Sequence, residues 1–197
     1  MQLLKGTAMR KNFGNETIVT PLPVLIIATY DANGVPNAMN AAWGGQSDYH
    51  EVTFYLGSHK TTDNLQITKA FTLSFADKKN LVVADYFGIE SGRKVNKIEK
   101  AGVSVVKSQF VNAPIIEEFP LTLECKVTEI SKTASGEFRV TGEVVNMSAD
   151  ETILDEQGKI DLGKLEPLSY DPANHSYRVL GNAVGQAFHD GLKIRNI

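Results

Sequence analysis

Apolar and polar residues alternate over Val52–Leu56, where Val52, Phe54 and Leu56 share one face and Thr53 and Tyr55 the other. This period of two predicts a half-buried strand, broken by Gly57 and Ser58. Val24–Tyr30, V-L-I-I-A-T-Y, is instead a continuous apolar run, as expected of a strand covered on both faces. Asp31-Ala32-Asn33-Gly34 follows as a hairpin turn, because Asn33 and Gly34 tolerate positive φ. The return strand, Val35–Trp43, places Val35, Asn37, Met39, Ala41 and Trp43 on one face and Ala38, Asn40 and Ala42 on the other. Its alanines, with Gly44-Gly45 beyond them, either leave room for a flat group near the backbone or make a thin strand beneath a helix.

Further along, the pattern predicts a short helix over Asn64–Lys69, a strand over Phe71–Phe75 and a helix over Leu81–Phe87 with Asn80 near its cap. Ile89–Asn96 is a polar loop, and Lys97–Ala101 a second short helix ended by Gly102. Leu121–Ile130 alternates strongly, with Leu121, Leu123, Cys125 and Val127 inward; Ser135-Gly136 turns the chain, and Phe138–Met147 returns as a long strand. Asp150–Asp171 reads as loops with a turn around Leu162, and Ser176–Leu180 as a last strand. The residues up to Thr20 and from Gly181 to Ile197 show no clear period. Many short strands with a few helices between them predict a mainly β protein, an antiparallel β barrel with helical insertions, in a single domain over residues 1–197.

Composition narrows the function classes. A chain of 197 residues with 42% hydrophobic and 22% charged residues can bury a core without staples. Its formal net charge of -3 argues against a general nucleic-acid binder, although charge can be spread unevenly. Cys125 is the only cysteine, so no intrachain disulfide or cysteine metal cage can form, and its inward phase makes it a core thiol. The first ten residues lack a long apolar h-region and the most apolar run, Leu22–Tyr30, is too short to cross a bilayer. A cytoplasmic protein without a membrane segment is expected. His50, His59, His175 and His189 form no tight pair, so no metal site is expected, and no serine stands in a G-x-S-x-G elbow.

Two polar stretches carry candidate chemistry. His59-Lys60-Thr61-Thr62-Asp63-Asn64 supplies a cation, two hydroxyls and an amide at a helix start, where backbone N–H groups and the helix dipole favour an anion, above all a phosphate. The bland alternative is an ordinary hydroxyl N-cap beside a solvated lysine. Gly57 and Lys60-Thr61 do not make a P-loop, because no glycine stands just before the lysine. The second stretch, Ser91–Lys97, combines Gly92, which permits close backbone approach, with Arg93, Lys94 and Lys97, which can neutralise an anion, and with Asn96. Together they point to an anionic planar cofactor or metabolite, held by charge at one end and by a thin apolar wall at the other.

The runs P-N-A-M-N-A-A-W-G-G (Pro36–Gly45), H-K-T-T-D-N (His59–Asn64), F-T-L-S-F-A-D (Phe71–Asp77) and D-Y-F-G-I-E-S-G-R-K-V-N-K (Asp85–Lys97) resemble, in order and spacing, the flavoredoxin branch of the flavin reductase-like proteins. The resemblance runs from about Pro21 to Gly185. It implies an FMN-binding split barrel that forms a homodimer, with flavin sites near the subunit interface. By position, it implies that Asn40, Ala41, Ala42 and Trp43 lie along the isoalloxazine and ribityl chain. His59, Lys60, Thr61, Thr62 and Asn64 would then hold the phosphate or ribityl end. Phe75, Ala76 and Asp77 would pass near the pyrimidine side, and Ser91, Gly92, Asn96 and Lys97 would close the site. It further implies an oxidoreductase in which NADH or NADPH docks transiently and gives hydride to FMN, with no side chain required as a proton-transfer catalyst. The alternative is an electron carrier that keeps FMN bound and exchanges electrons with a redox protein partner. No Rossmann-type G-x-G-x-x-G follows a strand.

Overall fold

A computed structural model describes residues 9–195. The first eight residues, on which the expectation about a leader segment mostly falls, lie outside the described residues, as do 196 and 197. The first half of the chain forms β1 (Leu22–Pro23), β2 (Leu25–Tyr30), β3 (Pro36–Ala41), β4 (Gly44–Asp48), β5 (Glu51–Leu56), α1 (Lys60–Thr68), β6 (Ala70–Phe75), α2 (Leu81–Ile89) and α3 (Lys97–Ala101). There follow β7 (Val105–Lys107), β8 (Pro114–Ile116), β9 (Leu121–Lys132), β10 (Phe138–Ala149), a 3-10 turn at Glu151–Ile153, α4 (Leu162–Leu165), β11 (Leu168–Asp171), β12 (Ser176–Val179) and α5 (Leu192–Arg195).

The main sheet is antiparallel and 7-stranded, in the order β3-β2-β6-β9-β10-β5-β4. Its two edges, β3 and β4, are consecutive in the chain, so the sheet curls back toward itself as a split barrel. Register shifts between β9 and β10, at Thr141/Gly142 and Val144/Asn146, put bulges in the two longest strands, where the bend is needed. Leu25, Ile27, Phe54, Leu56, Phe71, Leu73, Cys125 and Val140 fill the barrel, and Leu65 of α1 joins them. Phe54 and Phe71 meet edge to face at 5.2 Å.

The continuous apolar run of β2 has two covers. Leu25 and Ile27 face the barrel interior, while Val24, Ile26 and Ala28 face a second core made with Ala84 and Phe87 of α2, Ile98 of α3, Ile116 and Leu168. The hairpin to β3 forms as expected, with Gly34 at φ 78° and the Asp31 carboxylate accepting from the N–H groups of Asn33 and Val35.

Several elements depart from the sequence pattern. The first helix starts at Lys60 rather than Asn64, so the whole polar hexad belongs to its cap and first turns. Gly44–Asp48 is an edge strand, although G-G-Q-S-D carries no apolar alternation, because β5 offers it a paired edge. Leu168–Asp171, expected as loop, pairs with β12 and with β1 in a 3-stranded sheet. In β9 the inward phase of Cys125 holds, yet Thr122 and Glu124 on the opposite face are also buried. The Glu124 carboxylate, 2% exposed, accepts from Ser108 and Asn146. Asn80 stands at the N-cap of α2 without capping it through its side chain. Asp77 does the local work instead, accepting from Asn80 N at 2.8 Å.

Candidate functional site

Strand β3, the N-terminus of α1, the C-terminal end of α2 and the loop 90–96 enclose adjoining cavities that together make one groove. The first, about 190 Å³, is lined by Asn37, Lys60, Gly92, Arg93, Asn96 and Lys97 among others. The second, about 180 Å³, shares Asn37, Lys60, Gly92 and Lys97 with it and adds Met39, His59, Thr61, Gly88, Ile89 and Ser91. Past Gly88 and Ile89 a third, about 260 Å³, is lined by Asn40, Ala42, Asp85, Tyr170 and Tyr177.

Local chemistry explains this placement. The Thr62 hydroxyl donates to Gly57 O at 2.7 Å and accepts from His59 N at 3.4 Å, closing the first turn of α1. The N–H groups of Lys60 and Thr61 have no partner within a helix at these positions, and they lie at the positive end of its dipole. Gly92 lies so close to Asn37 that a Cβ there would stand 2.1 Å from Asn37 Oδ1. Arg93 clasps the loop to α1, donating to Asp63 Oδ2 at 2.7 Å, to Ser58 O at 3.2 Å and to Ser58 Oγ at 3.3 Å.

Charge is concentrated at this end of an otherwise acidic chain. Lys60, Arg93, Lys94 and Lys97 all line the first cavity. Lys60 Nζ pairs with Asp31 Oδ2 at 3.2 Å. The Asp31 carboxyl is held below the usual carboxylate range chiefly by the Val35 N–H, against some burial, with the Asn33 N–H and Lys60 adding to it. Lys97 is 4% exposed. Its ammonium donates to Phe87 O at 2.8 Å, which is its one hydrogen bond among the described residues, and lies 5.9 Å from the centre of the Phe87 ring. Burial pulls its pKa down to about 8, with the negative charge of Glu90 acting the other way. His59 is also held below its ordinary value, first by burial and then by the positive charges of Lys97 and Arg93, with Asp63 opposing.

Of the expected site residues, His59, Lys60, Thr61, Ser91, Gly92, Asn96 and Lys97 come together at the basic end. Asn40 and Ala42 line the far cavity. The side chains of the others pack elsewhere. Ala41 turns the opposite way into the barrel core, as strand alternation requires. The Thr61 hydroxyl is buried and accepts from Asn37 Nδ2 at 2.8 Å, and Asn64 is buried and donates to Thr29 Oγ1 at 3.0 Å. With the Thr62 hydroxyl tied to Gly57, the side chains of Thr62 and Asn64 hold α1 to the barrel, and Thr61 does so from the wall of the groove. Ala76 is fully buried, Phe75 packs against the barrel core, and Asp77 lines a different cavity beside Glu118 and Lys164. Trp43 is 61% exposed and lines none of these three cavities. Asn37, Met39, Asp85, Gly88, Ile89, Tyr170 and Tyr177 were not expected there. A buried asparagine in a strand was the available signal for Asn37, whereas nothing local marks the two tyrosines.

With this geometry in view, the comparisons agree on a class. The model of the flavin reductase like domain family matches residues 19–179, and the chain belongs to that family. The structure of flavoredoxin from Desulfovibrio vulgaris (Miyazaki F) is similar at 30% identity and TM-score 0.88, covering 93% of this chain and 100% of that one. Flavoredoxin from Methanosarcina acetivorans matches at 26% identity and TM-score 0.85, covering 95% of this chain and 100% of its own. An uncharacterized protein of Aquifex aeolicus (strain VF5) is 26% identical over 77% of this chain and 81% of its own length. The fold is the flavin reductase split barrel, and a flavin-related redox role follows from the family.

Proposed function

We propose that the groove holds FMN and that the protein is an FMN-dependent oxidoreductase, taking hydride from NADH or NADPH and passing electrons to an acceptor. The observation that carries this reading is Lys97. A buried ammonium with three donors has one hydrogen bond among the described residues and faces the groove, so it suits a carbonyl or developing negative charge on a planar ring. The other residues fit the same ligand. The N–H groups opening α1, with Lys60 and His59, suit a phosphate, and Gly92 and Asn37 bring backbone close to it. Asn40 and Ala42 of β3 present a low wall along which a flat ring lies. When bound, FMN supplies the two-electron chemistry, and the protein supplies position and electrostatics. We further propose a single-domain homodimer acting in the cytoplasm; among the described residues no helix is long and apolar enough to cross a membrane.

A second reading has its own support: the relatives named flavoredoxin suggest an electron carrier that serves a redox protein partner without using nicotinamide itself. Two measurements decide. FMN added to the purified protein is expected to shift the flavin spectrum, and Lys60→Ala is expected to weaken FMN about tenfold while riboflavin changes little; equal loss for both ligands rejects the phosphate seat. Anaerobic mixing of the yellow protein with NADH or NADPH is expected to bleach the flavin. Persistent colour with both donors assigns the carrier role.

A further inference from the structure

Away from the groove, a cavity of about 520 Å³ lies where the end of α1, the start of β6, strand β9 and the connection from β7 to β8 meet. It shares no residue with the three cavities of the groove. Lys69, Lys107 and Lys126 line it and no carboxylate does, although the chain as a whole carries a formal net charge of -3. None of the three ammoniums has a hydrogen bond or an ion pair among the described residues, and Glu143 stands across from Lys126 on β10 without pairing with it. The main chain fixes two of these lysines. Lys69 ends α1 in the left-handed region at φ 52°, with its N–H donating to Leu65 O at 3.2 Å and its carbonyl accepting from Val127 N at 2.9 Å. Lys126 is held between β6 and β10, opposite Ala70 and Glu143.

The connection 108–113 is equally fixed. Ser108 Oγ accepts from Phe110 N at 3.0 Å and from Val111 N at 2.9 Å and donates to the buried Glu124 carboxylate, while Ser108 N donates to Ala113 O at 3.0 Å. Glu124 is fully used in accepting from Ser108 and Asn146, so it sets the loop. Val111 and Ala70 pack together and give the cavity an apolar floor. The loop so tied down still presents Phe110, 54% exposed, and beside it the side-chain amides of Gln109 and Asn112, which have no hydrogen bond among the described residues. Lysine is a point charge that takes phosphate or carboxylate, an exposed phenyl face takes a flat ring, and a free amide takes the ring's polar edge. The volume is that of a small-molecule site. We propose that this cavity binds a small anion bearing at least two negative charges and a flat ring, of which a nucleoside monophosphate is a simple example. The three lysines hold the charged end, Phe110 holds the ring face, and Gln109 or Asn112 meets its edge. Helix α1, 9 residues long, separates this site from the anion seat at Lys60 by about 13 Å along its axis. The two sites are therefore distinct, and this one does not depend on a flavin in the groove.

The test titrates adenosine monophosphate, adenosine and inorganic phosphate by NMR into the full chain mixed with one equivalent of FMN. Adenosine monophosphate is expected to bind about tenfold more tightly than either fragment, with shifts at residues 68–70, 107–112 and 126. Trimellitate, a flat ring with three carboxylates, is the second probe; binding at the same residues more tightly than adenosine monophosphate supports the class and assigns the ligand to aromatic acids rather than nucleotides. Lys107→Ala and Lys126→Ala, at exposed positions, are each expected to weaken adenosine monophosphate about threefold. Lys159→Ala, which removes an exposed charge on another loop, is expected to leave it unchanged. Phe110→Ala is expected to weaken adenosine monophosphate about fivefold and to leave inorganic phosphate unchanged. Equal binding of adenosine and its monophosphate, equal losses in Lys159→Ala and Lys126→Ala, or shifts confined to the groove would overturn the assignment. FMN binding is read in the same samples by its visible spectrum. Shifts at 107–112 without FMN binding sink the flavin reading alone, and FMN binding without those shifts sinks this site alone.

Discussion

Lys97 stands in a conflict that its surroundings only partly relieve: desolvation disfavours its charge, and among the described residues a single carbonyl stabilises it. Because its folded pKa of about 8 lies below the ordinary 10.5, the unfolded chain binds more protons between those values, and folding stability gains from this group as pH rises through that window. Cys125 acts oppositely. Its thiol is pushed from 9.0 up to about 12 by burial first and then by Glu124, so its contribution falls as pH rises above 9. The Lys97 effect is therefore cleanest between pH 8 and 9. Urea unfolding at these two pH values is expected to show the protein gaining stability relative to Lys97→Met, which lacks the group; parallel behaviour of the two proteins would refute the buried ammonium. The residue type was legible in the sequence as a cation of a basic loop, but its burial was not, because burial comes from α3, which Lys97 opens, packing against Phe87 of α2.

At the scale of elements, the site depends on how closely the loop 90–96 approaches β3. Gly92 permits it, and Arg93 fastens it to the first turn of α1. Gly92→Ala drives a methyl group into Asn37, whose amide holds Thr61 at the start of the helix. The expected cost is about 1–3 kcal/mol of stability, with weaker FMN binding, read by thermal unfolding and flavin titration. Unchanged values would mean that the loop stands off the strand. The polar hexad shows why such elements are only half readable. A cap, a cation and two threonines before a helix announce an anion-binding start, yet the side chains of Thr61, Thr62 and Asn64 turn inward. Helical periodicity puts them on the face that α1 lays against β2 and β3, and only the packed helix reveals which face that is.

For the whole molecule, the split barrel leaves Trp43 61% exposed and Tyr55 40% exposed, side by side where Tyr55 N donates to Trp43 O. An aromatic pair outside the barrel suits the proposed homodimer. Sedimentation is expected to give twice 21.5 kDa, and the emission of Trp43, the only tryptophan, is expected to move to longer wavelength on dilution; a monomer with unchanged emission at all concentrations would remove the dimer. Local pattern determined much of this architecture. The period of two in β5, the two-faced apolar run of β2, the Asp31–Gly34 turn and the inward Cys125 are written in neighbouring residues, because a side chain's face is set by backbone geometry alone. Tertiary structure decided the rest. Edge strands such as Gly44–Asp48 and Leu168–Asp171 exist because a partner strand offers them hydrogen bonds. Ala41 and Asn40, adjacent in the chain, end in a core and a cavity, and Asp85 meets Tyr177 across 92 residues. Such meetings depend on which surfaces the folded barrel brings together, and no short window of sequence encodes that.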